Sequence, residues 1–411
     1  MSINLTAEQE RTVQAIVNWY RDPYGDQSFV LAGYAGTGKT TIAKAIIEAL
    51  GVDDTICVTP TGKAARVLES KLPEGIHVST IHSWLYAPSE VSEWMVTRAE
   101  ESAEELRRAG HLFREEAAAA DARAKRLAKI LEGGGCEFRH KEEVSKPPLV
   151  IADESSMIGD RLEDDMRANA PKLLFLGDPG QLPPVEGRDF FERNKPNAIL
   201  ETIHRQAADS SILRFAHAIR NDEKFTDWDD ACRVVRGSSI SAEFLATGDV
   251  VLTGRNETRR GLNRNLRRHH GFSGVMPQQG ELLMCLRNDH GRGLINGVPG
   301  RMLADVEETW DGDYLIDLAY EDTIMRRVPI DPFHFKVYQD PKMNRRQHPP
   351  HDAQFDFGYA ITCHKAQGSE WPTVMVWDDK MRPNDVEARR RWIYTAATRA
   401  SEKLVWINGK K

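Results

Sequence analysis

Short apolar runs that stop at a glycine, a threonine or an acidic residue punctuate the chain: SFVLA at 28–32, TICV at 55–58, LVIA at 149–152, LFL at 174–176, VLT at 251–253 and AIT at 360–362. Runs this short and this apolar predict strands buried on both faces, with turn residues closing each one. TIAKAIIEAL at 41–50, just beyond the first run, predicts a helix. Two stretches break the rhythm. Residues 90–132 contain no proline, and Leu106, Ala109, Phe113, Ala117, Ala120, Ala124, Leu127 and Leu131 recur at three- and four-residue steps. That is a helical stripe. It is either one helix of about 40 residues, projecting on the order of 60 Å, or a hairpin folded at Gly110, and GGGCEFRHKEEV at 133–144 then reads as a flexible break and a strand. Residues 276–354 alternate short β-rich runs with glycine, D-G and N-G turns, which predicts a small barrel. The proline-rich stretch 331–356 reads as a loop returning to the main body.

Composition narrows the class. A chain of 411 residues is too long for one ordinary core, and length alone suggests about two to four folding units. With 40% apolar and 28% charged residues and no long apolar run, it reads as a soluble globular protein without a membrane partner. The start, MSINLTAEQERTVQ, shows no basic-then-apolar leader, so a cytoplasmic location is expected. Cysteines 57, 136, 232, 285 and 363 form no C-x-x-C pair, which argues against a zinc site or a disulfide framework. The formal charge of -7 argues weakly against indiscriminate nucleic-acid binding but leaves room for a basic channel in an acidic shell. RRGLNRNLRRHH at 259–270 and RRR at 389–391 are candidate basic patches, equally readable as solvated helix faces.

The strongest chemical signal is GYAGTGKT at 33–40, between a strand and a helix. It satisfies G-x-x-x-x-G-K-[ST], whose glycines let backbone N–H groups wrap a phosphate chain at a helix N-terminus. Gly33, Ala35, Gly36, Thr37, Gly38 and Thr41 are thus nucleotide-binding candidates, with Lys39 reaching the β- and γ-phosphates and Thr40 offering a hydroxyl to Mg²⁺. PLVIADESS supplies the acids such a loop needs: Asp153 as metal ligand and Glu154 as the base for an attacking water. No N-K-x-D stretch for guanine is present. Gln9 offers an amide to adenine, yet Thr6 and Gln9 also spell a capping box. In LFLGDPGQLPPVEG, 174–187, glycines and prolines make a rigid strand exit that holds Gln181 at a set position.

In order along the chain, GYAGTGKT, VTPTGKAARVL, STIHSWL, VIADESSM, FLGDPGQLPPV, ETIHRQ, YAITCHKAQGSEW and IYTAATRA resemble the motifs of superfamily 1 (1B) helicases of the RecD/Dda-like branch. The resemblance implies an α/β fold: two RecA-like P-loop NTPase domains with parallel sheets, an inserted helical and β-hairpin arm, and an inserted Src-homology-3-like barrel. It places these domains at 1–86 with 149–192, at 87–148 for the arm, at 193–275 with 355–411, and at 276–354 for the barrel. It implies that Gln181 meets the γ-phosphate, that Arg205 and Arg399 act as arginine fingers, and that Glu370 holds the ribose. EFRHKEE resembles one strand of a duplex-splitting pin, from whose pattern the long helical insert departs.

For nucleic acid, Pro60, Thr61 and Lys63, Thr80 and His82, Thr253 and Asn256, and Thr362 and His364 stand at matching strand ends, where hydroxyls, amides and cations suit phosphates without reading sequence. The implied activity is an ATP- and Mg²⁺-dependent DNA helicase acting on single-stranded and forked duplex DNA, 5′ to 3′, as a monomer in a bacterial or phage-infected cell. Two alternatives stay open. One is an RNA helicase of the same superfamily; the other is a DNA-stimulated ATPase that displaces proteins without separating strands, working with a protein partner through the arm. Replication, repair and recombination all fit the family, and no residue chooses among them.

Overall fold

The computed structural model describes the chain except residues 1–4, 52–54, 91–92, 109–113, 133–135, 203–208, 238–239, 290–291, 322, 341–352, 380–384 and 410–411. In chain order, β1 (Ser28–Gly33), β2 (Ile56–Thr59) and β3 (His77–Thr80) are followed by a two-stranded ribbon, β4 (Tyr86–Glu90) with β5 (Cys136–His140). β6 (Val150–Ala152), β7 (Leu173–Gly177) and β8 (Ala198–Leu200) complete a parallel sheet of order β3-β2-β6-β7-β1-β8. Both faces are covered. Val30, Val58, Val150 and Phe175 sit in one core cluster and Leu31, Cys57, Ile151 and Leu174 in another, the alternation expected when helices cover each side.

β9 (Cys232–Gly237) and β10 (Val250–Thr253) belong to a second sheet. Between them and its remaining strands come β11 (Leu282–Cys285), β12 (Pro299–Met302), β13 (Glu307–Glu308), β14 (Tyr314–Tyr320), β15 (Thr323–Pro329) and β16 (Phe355–Phe357). β17 (Ala360–Thr362), β18 (Trp371–Trp377) and β19 (Ala400–Gly409) then complete the parallel order β17-β10-β18-β19-β9. The fold is therefore α/β, with two parallel sheets and an antiparallel sheet inserted in the second.

The insert runs β13-β14-β12-β11-β16, with β15 also on β14, around Leu283, Ile316, Leu318, Phe355 and Phe357. β16 pairs with β11, so Phe355–Phe357, which sequence reading gave to the second parallel unit, is hydrogen-bonded into the antiparallel sheet. The stretch expected to be loop also holds a helical turn, Phe333–Lys336. One buried network seats the insert on helix Asn256–His269. Arg259 pairs with Asp356, the Tyr338 hydroxyl donates to Asp356 Oδ1 (2.8 Å), and the Asn263 amide bonds Tyr338, Phe357 and Ala360.

The helical stripe is a hairpin, not one long helix. Glu93–Arg108 and Arg114–Glu132 lie side by side with Ala99, Ala103, Ala117, Ala124 and Leu127 buried and Arg107 paired to Asp121. Small residues let the two backbones approach. Gly110, the expected fold-back, is outside the described residues. The arm springs from the ribbon, since its two helices lie between β4 and β5 in the chain. Among the described residues, no helix is long and apolar enough to cross a membrane.

Asp356→Ala strands the buried Arg259 charge and should cost about 3–5 kcal/mol. Arg98→Ala, which removes an exposed i,i+3 pair on the arm, should change stability by less than about 1 kcal/mol. Urea unfolding of both variants checks the contrast.

Candidate functional site

β1 ends at Gly33, and the chain turns through Gly36 and Gly38 at φ 80° and 83° before helix Lys39–Leu50 begins. Both values lie in the left-handed region open to glycine, which is why these positions need it. Lys39 Nζ donates to the carbonyls of Gly33 (2.7 Å) and Tyr34 (3.3 Å), and the Thr37 hydroxyl donates to Tyr34 O (2.8 Å). Gln9 forms both bonds of the capping box with Thr6, and its Nε2 also donates to Thr37 O (3.0 Å). Its amide therefore ties the first helix to the loop, a bond not visible in the sequence. Reading adenine would require Gln9 to exchange one of these bonds.

The acids follow β6. Asp153 Oδ1 accepts from the Glu154 N–H (2.9 Å), and Glu154 sits at φ 55°, a costly backbone setting for a side chain with a Cβ. Burial raises both carboxyl pKa values. For Glu154 the neighbouring Asp153 charge raises it further, while Arg399 and Lys39 oppose. Glu154 Oε2 and Gln181 Oε1 are buried without a hydrogen-bond partner. Such atoms are scarce in native proteins and mark places where a ligand or strain is expected.

A cavity of about 650 Å³ brings these groups together: Lys39, Thr40, Thr41, Asp153, Glu154 and Gln181 from the first sheet, and Arg399 from the second. A smaller cavity of about 160 Å³ shares Thr40, Asp153, Glu154 and Arg399 and adds Glu370. The Thr40 hydroxyl and the Asp153 carboxylate are hard oxygen donors on the same wall. No cluster of three or more histidine, cysteine or acidic side chains that could hold a metal occurs among the described residues. Two protein oxygens suit Mg²⁺, which keeps waters and phosphate oxygens for its other positions.

Arg399 is itself buried, its guanidinium donating to Thr395 O (3.1 Å), Ser369 O (3.1 Å) and Thr398 Oγ1 (3.0 Å). Arg205, the other expected finger, lies outside the described residues.

The strand-end candidates fall into two matched pairs. In the parallel ladders Thr59 lies beside Thr80 and Thr253 beside Thr362, so the loops carrying Pro60, Thr61, His82, Asn256 and His364 leave neighbouring strands in the same direction. Several side chains have other work. Thr61 and Thr80 cap helices, accepting from Ala64 N (3.2 Å) and Ser83 N (3.0 Å). Thr253 is fully buried with its hydroxyl on Asp379, so it cannot reach a strand as drawn from the sequence. Lys63 Nζ sits 4.3 Å from the Trp371 ring centre, and burial, with Arg399 next, holds its pKa down to about 8. Asn256 is exposed, and Thr362 caps its short helix without a side-chain bond.

The basic patches are corrected in part, since Arg264 and Arg268 stay exposed on the helix. Arg259 and Arg267 are buried against Asp356 and Glu281, while Arg389, Arg390 and Arg391 pair with Asp378, with Asp222 and Glu387, and with Asp189 and Glu387. Sequence reading missed Asp178, His217 and Tyr394, which hold the phosphate loop and the Gln181 turn. Tyr394 lies inside the quoted IYTAATRA block, but its partners are more than 200 positions away.

Because burial raises the Glu154 pKa, the folded state holds a proton there more readily than the unfolded chain does. The stability linked to that shift is present below the ordinary carboxylate range and is lost as pH rises through the raised value. Glu154→Gln, which keeps the backbone strain and removes the charge, should therefore raise the melting temperature at pH 7. The gain should shrink as pH falls toward 4. Thermal scans of both proteins across that range decide it.

Two family descriptions match the chain: an AAA domain at residues 4–236 and a UvrD-like helicase C-terminal domain at residues 357–407. The chain is 27% identical, over 92% of its length, to the ATP-dependent RecD2 DNA helicase of Deinococcus radiodurans, and 31% identical, over 51%, to an uncharacterized protein of Methanocaldococcus jannaschii. It spans 47% and 15% of the lengths of these relatives. Its fold is similar to that of a Pif1 helicase studied for unwinding of forked duplex DNA by two coordinating copies (TM-score 0.56, 17% identity, 99% of this chain and 93% of that one). It is also similar to Bacteroides Pif1 bound to single-stranded DNA (TM-score 0.53, 16% identity, 100% and 93%). With the ordered motifs, the two-sheet fold and a domain match over more than half its length, the chain belongs to the superfamily 1 helicases of the RecD2/Pif1-like branch.

Proposed function

We propose that the protein is an ATP-dependent, Mg²⁺-requiring DNA helicase that moves along single-stranded DNA and separates strands at forks. The observation that carries this reading is the one cavity in which Lys39, Thr40, Asp153, Glu154 and Gln181 face Arg399 from the other parallel sheet. Mg²⁺ bound at Thr40 and Asp153 would neutralise phosphate charge. Lys39 is placed to leave its loop carbonyls for the phosphates, Glu154 to take a proton from water, and Arg399 to meet charge that builds up in transfer. A site shared between two sheets makes hydrolysis depend on their closure, and closure moves the strand-end loops that would hold the nucleic acid.

The units we assign follow the sheets: 1–86 with 149–200, the arm at 87–148, 209–275 with 358–411, and a barrel-like insert at 276–357, so that Ala198–Leu200 goes with the first sheet and Phe355–Phe357 with the insert rather than with the second parallel unit expected from the sequence. The 5′ to 3′ direction rests on the family resemblance. Single-stranded DNA as the track draws support from the Bacteroides Pif1 complex, and the matched threonine pairs suit a sequence-blind grip. The arm's long hairpin gives the protein-displacement alternative its own surface, and strand-release assays separate the two.

Three outcomes are expected. Lys39→Ala should abolish ATP hydrolysis, and Arg399→Ala should slow it by about three powers of ten; a wild-type rate in Lys39→Ala would end this reading. On forked substrates only those with a 5′ single-stranded tail should be unwound, while ATP consumption without strand release on any fork would replace helicase with remodeller. Gln181→Ala should keep appreciable nucleotide binding yet unwind far fewer base pairs per ATP. Normal unwinding per ATP in that variant would reduce the loop to a turn.

A further inference from the structure

Both backbone groups of Ala35, in the middle of the phosphate loop, are bound by side chains of the second sheet's helices. Its N–H donates to the Tyr394 hydroxyl (2.8 Å), and its carbonyl lies 3.1 Å from His217 Nε2. Tyr34, next to it, carries the Arg220 guanidinium 3.6 Å above its ring. The Tyr394 hydroxyl in turn donates to Asp178 Oδ2 (2.7 Å), whose other oxygen accepts from Gly180 N (2.9 Å). The direction of this relay is fixed: a carboxylate can only accept, so the phenol must give its proton to Asp178 and accept from Ala35. Tyr394 and Asp178 are fully buried, where such bonds are strong and their loss is costly.

The next residue extends the hold. Leu182 N donates to Thr395 Oγ1 (2.9 Å), and Gln367 Nε2 donates to Leu182 O (3.1 Å), while Leu182 packs in the core of the second sheet. Gln181 is thus flanked by two anchors, Asp178 and Leu182, and both lead to helix Val386–Ala397. Two residues past that helix stands Arg399, which is bonded back to Thr395.

We propose that Tyr394 is the positioning residue that makes the phosphate loop and Gln181 answer to the second sheet, its one hydroxyl holding Ala35 and Asp178 on the helix that leads to Arg399. A shift of this helix moves the loop that grips phosphate, the amide that senses it and the finger that completes the site. The inference rests on the ATPase reading above for its kinetic consequence and on the bonds alone for its structural one.

Tyr394→Phe keeps the ring and removes the relay. In the full chain with saturating single-stranded DNA, kcat for ATP should fall about tenfold while KM moves less than about twofold, as expected for displaced rather than missing groups. Asp178→Asn should lose a similar factor. The double variant should lose no more than either single, because both act through one relay. Amide exchange at Ala35 should quicken about tenfold in Tyr394→Phe, whatever the enzymatic activity. Unchanged exchange at Ala35, or additive losses in a double variant that melts as one folded species, overturns the proposal. A native protein that hydrolyses no ATP would sink the functional reading, and the exchange measurement would still decide this one.

Discussion

Carboxylates buried at the ends of parallel strands set the terms for this molecule. Asp178 leaves β7 fully buried, and Asp153 and Glu154 leave β6 half-buried on the cavity wall, where bringing charges out of water is costly. Asp178 is satisfied by a tyrosine and a backbone amide. Asp153 and Glu154 have Lys39, Lys71 and Arg399 nearby, and Glu154 sits on strained backbone with one oxygen unbonded. The stability forgone there is the condition for a site that welcomes a cation and phosphates. Tyr394, Thr395 and Gln367 of the second sheet's unit help to keep that arrangement in place.

The second sheet supplies much of what holds it, and the contact is close. Gly368, at φ 71°, lies so near Ala64 that an added Cβ would come within 2.8 Å of that side chain. The antiparallel insert adds its own contact to the same helix, Gly62–Glu69. Ile295 fills the space a side chain at Gly62 would occupy, and Arg66 pairs with Glu321. The loop read as a nucleic-acid contact, Thr61 to Lys63, is thus pressed from two directions. Lys63 spends its charge over Trp371, in the neighbourhood of Arg399. The cavity and the strand-end loops are therefore close neighbours, as the proposed coupling of hydrolysis to movement requires.

The arm stands apart from this economy. Its alanine-lined helix pair buries little beyond its own seam. Its ribbon is rooted where Tyr86 stacks with His82 and His140 and bonds Asp165. Rings and a carboxylate thus fasten the base of the arm to the first sheet's unit.

The sequence by itself determined the chemistry and the sheets. Glycines at 36 and 38 were needed for left-handed backbone, Lys39 and Thr40 come directly after the second, and each apolar run became a buried strand because its length and composition permit little else. It also pointed to Asp153 and Glu154, which follow an apolar run directly and line the cavity beside Lys39 and Thr40. It was less informative wherever a side chain has two possible partners. Gln9 proved to be a cap that also holds the loop, Thr253 was claimed by Asp379, Arg259 and Arg267 turned inward, and Arg389 to Arg391 paired. The hairpin or single helix of the arm was undecided by periodicity, because both bury the same stripe, and β16 changed sheets because pairing is a long-range choice. Above all, the hold of Tyr394 on Ala35 spans 359 positions and depends on two sheets meeting. Local pattern cannot carry that information, since hydrogen-bond partners so far apart in the chain are chosen only when packing brings the sheets together.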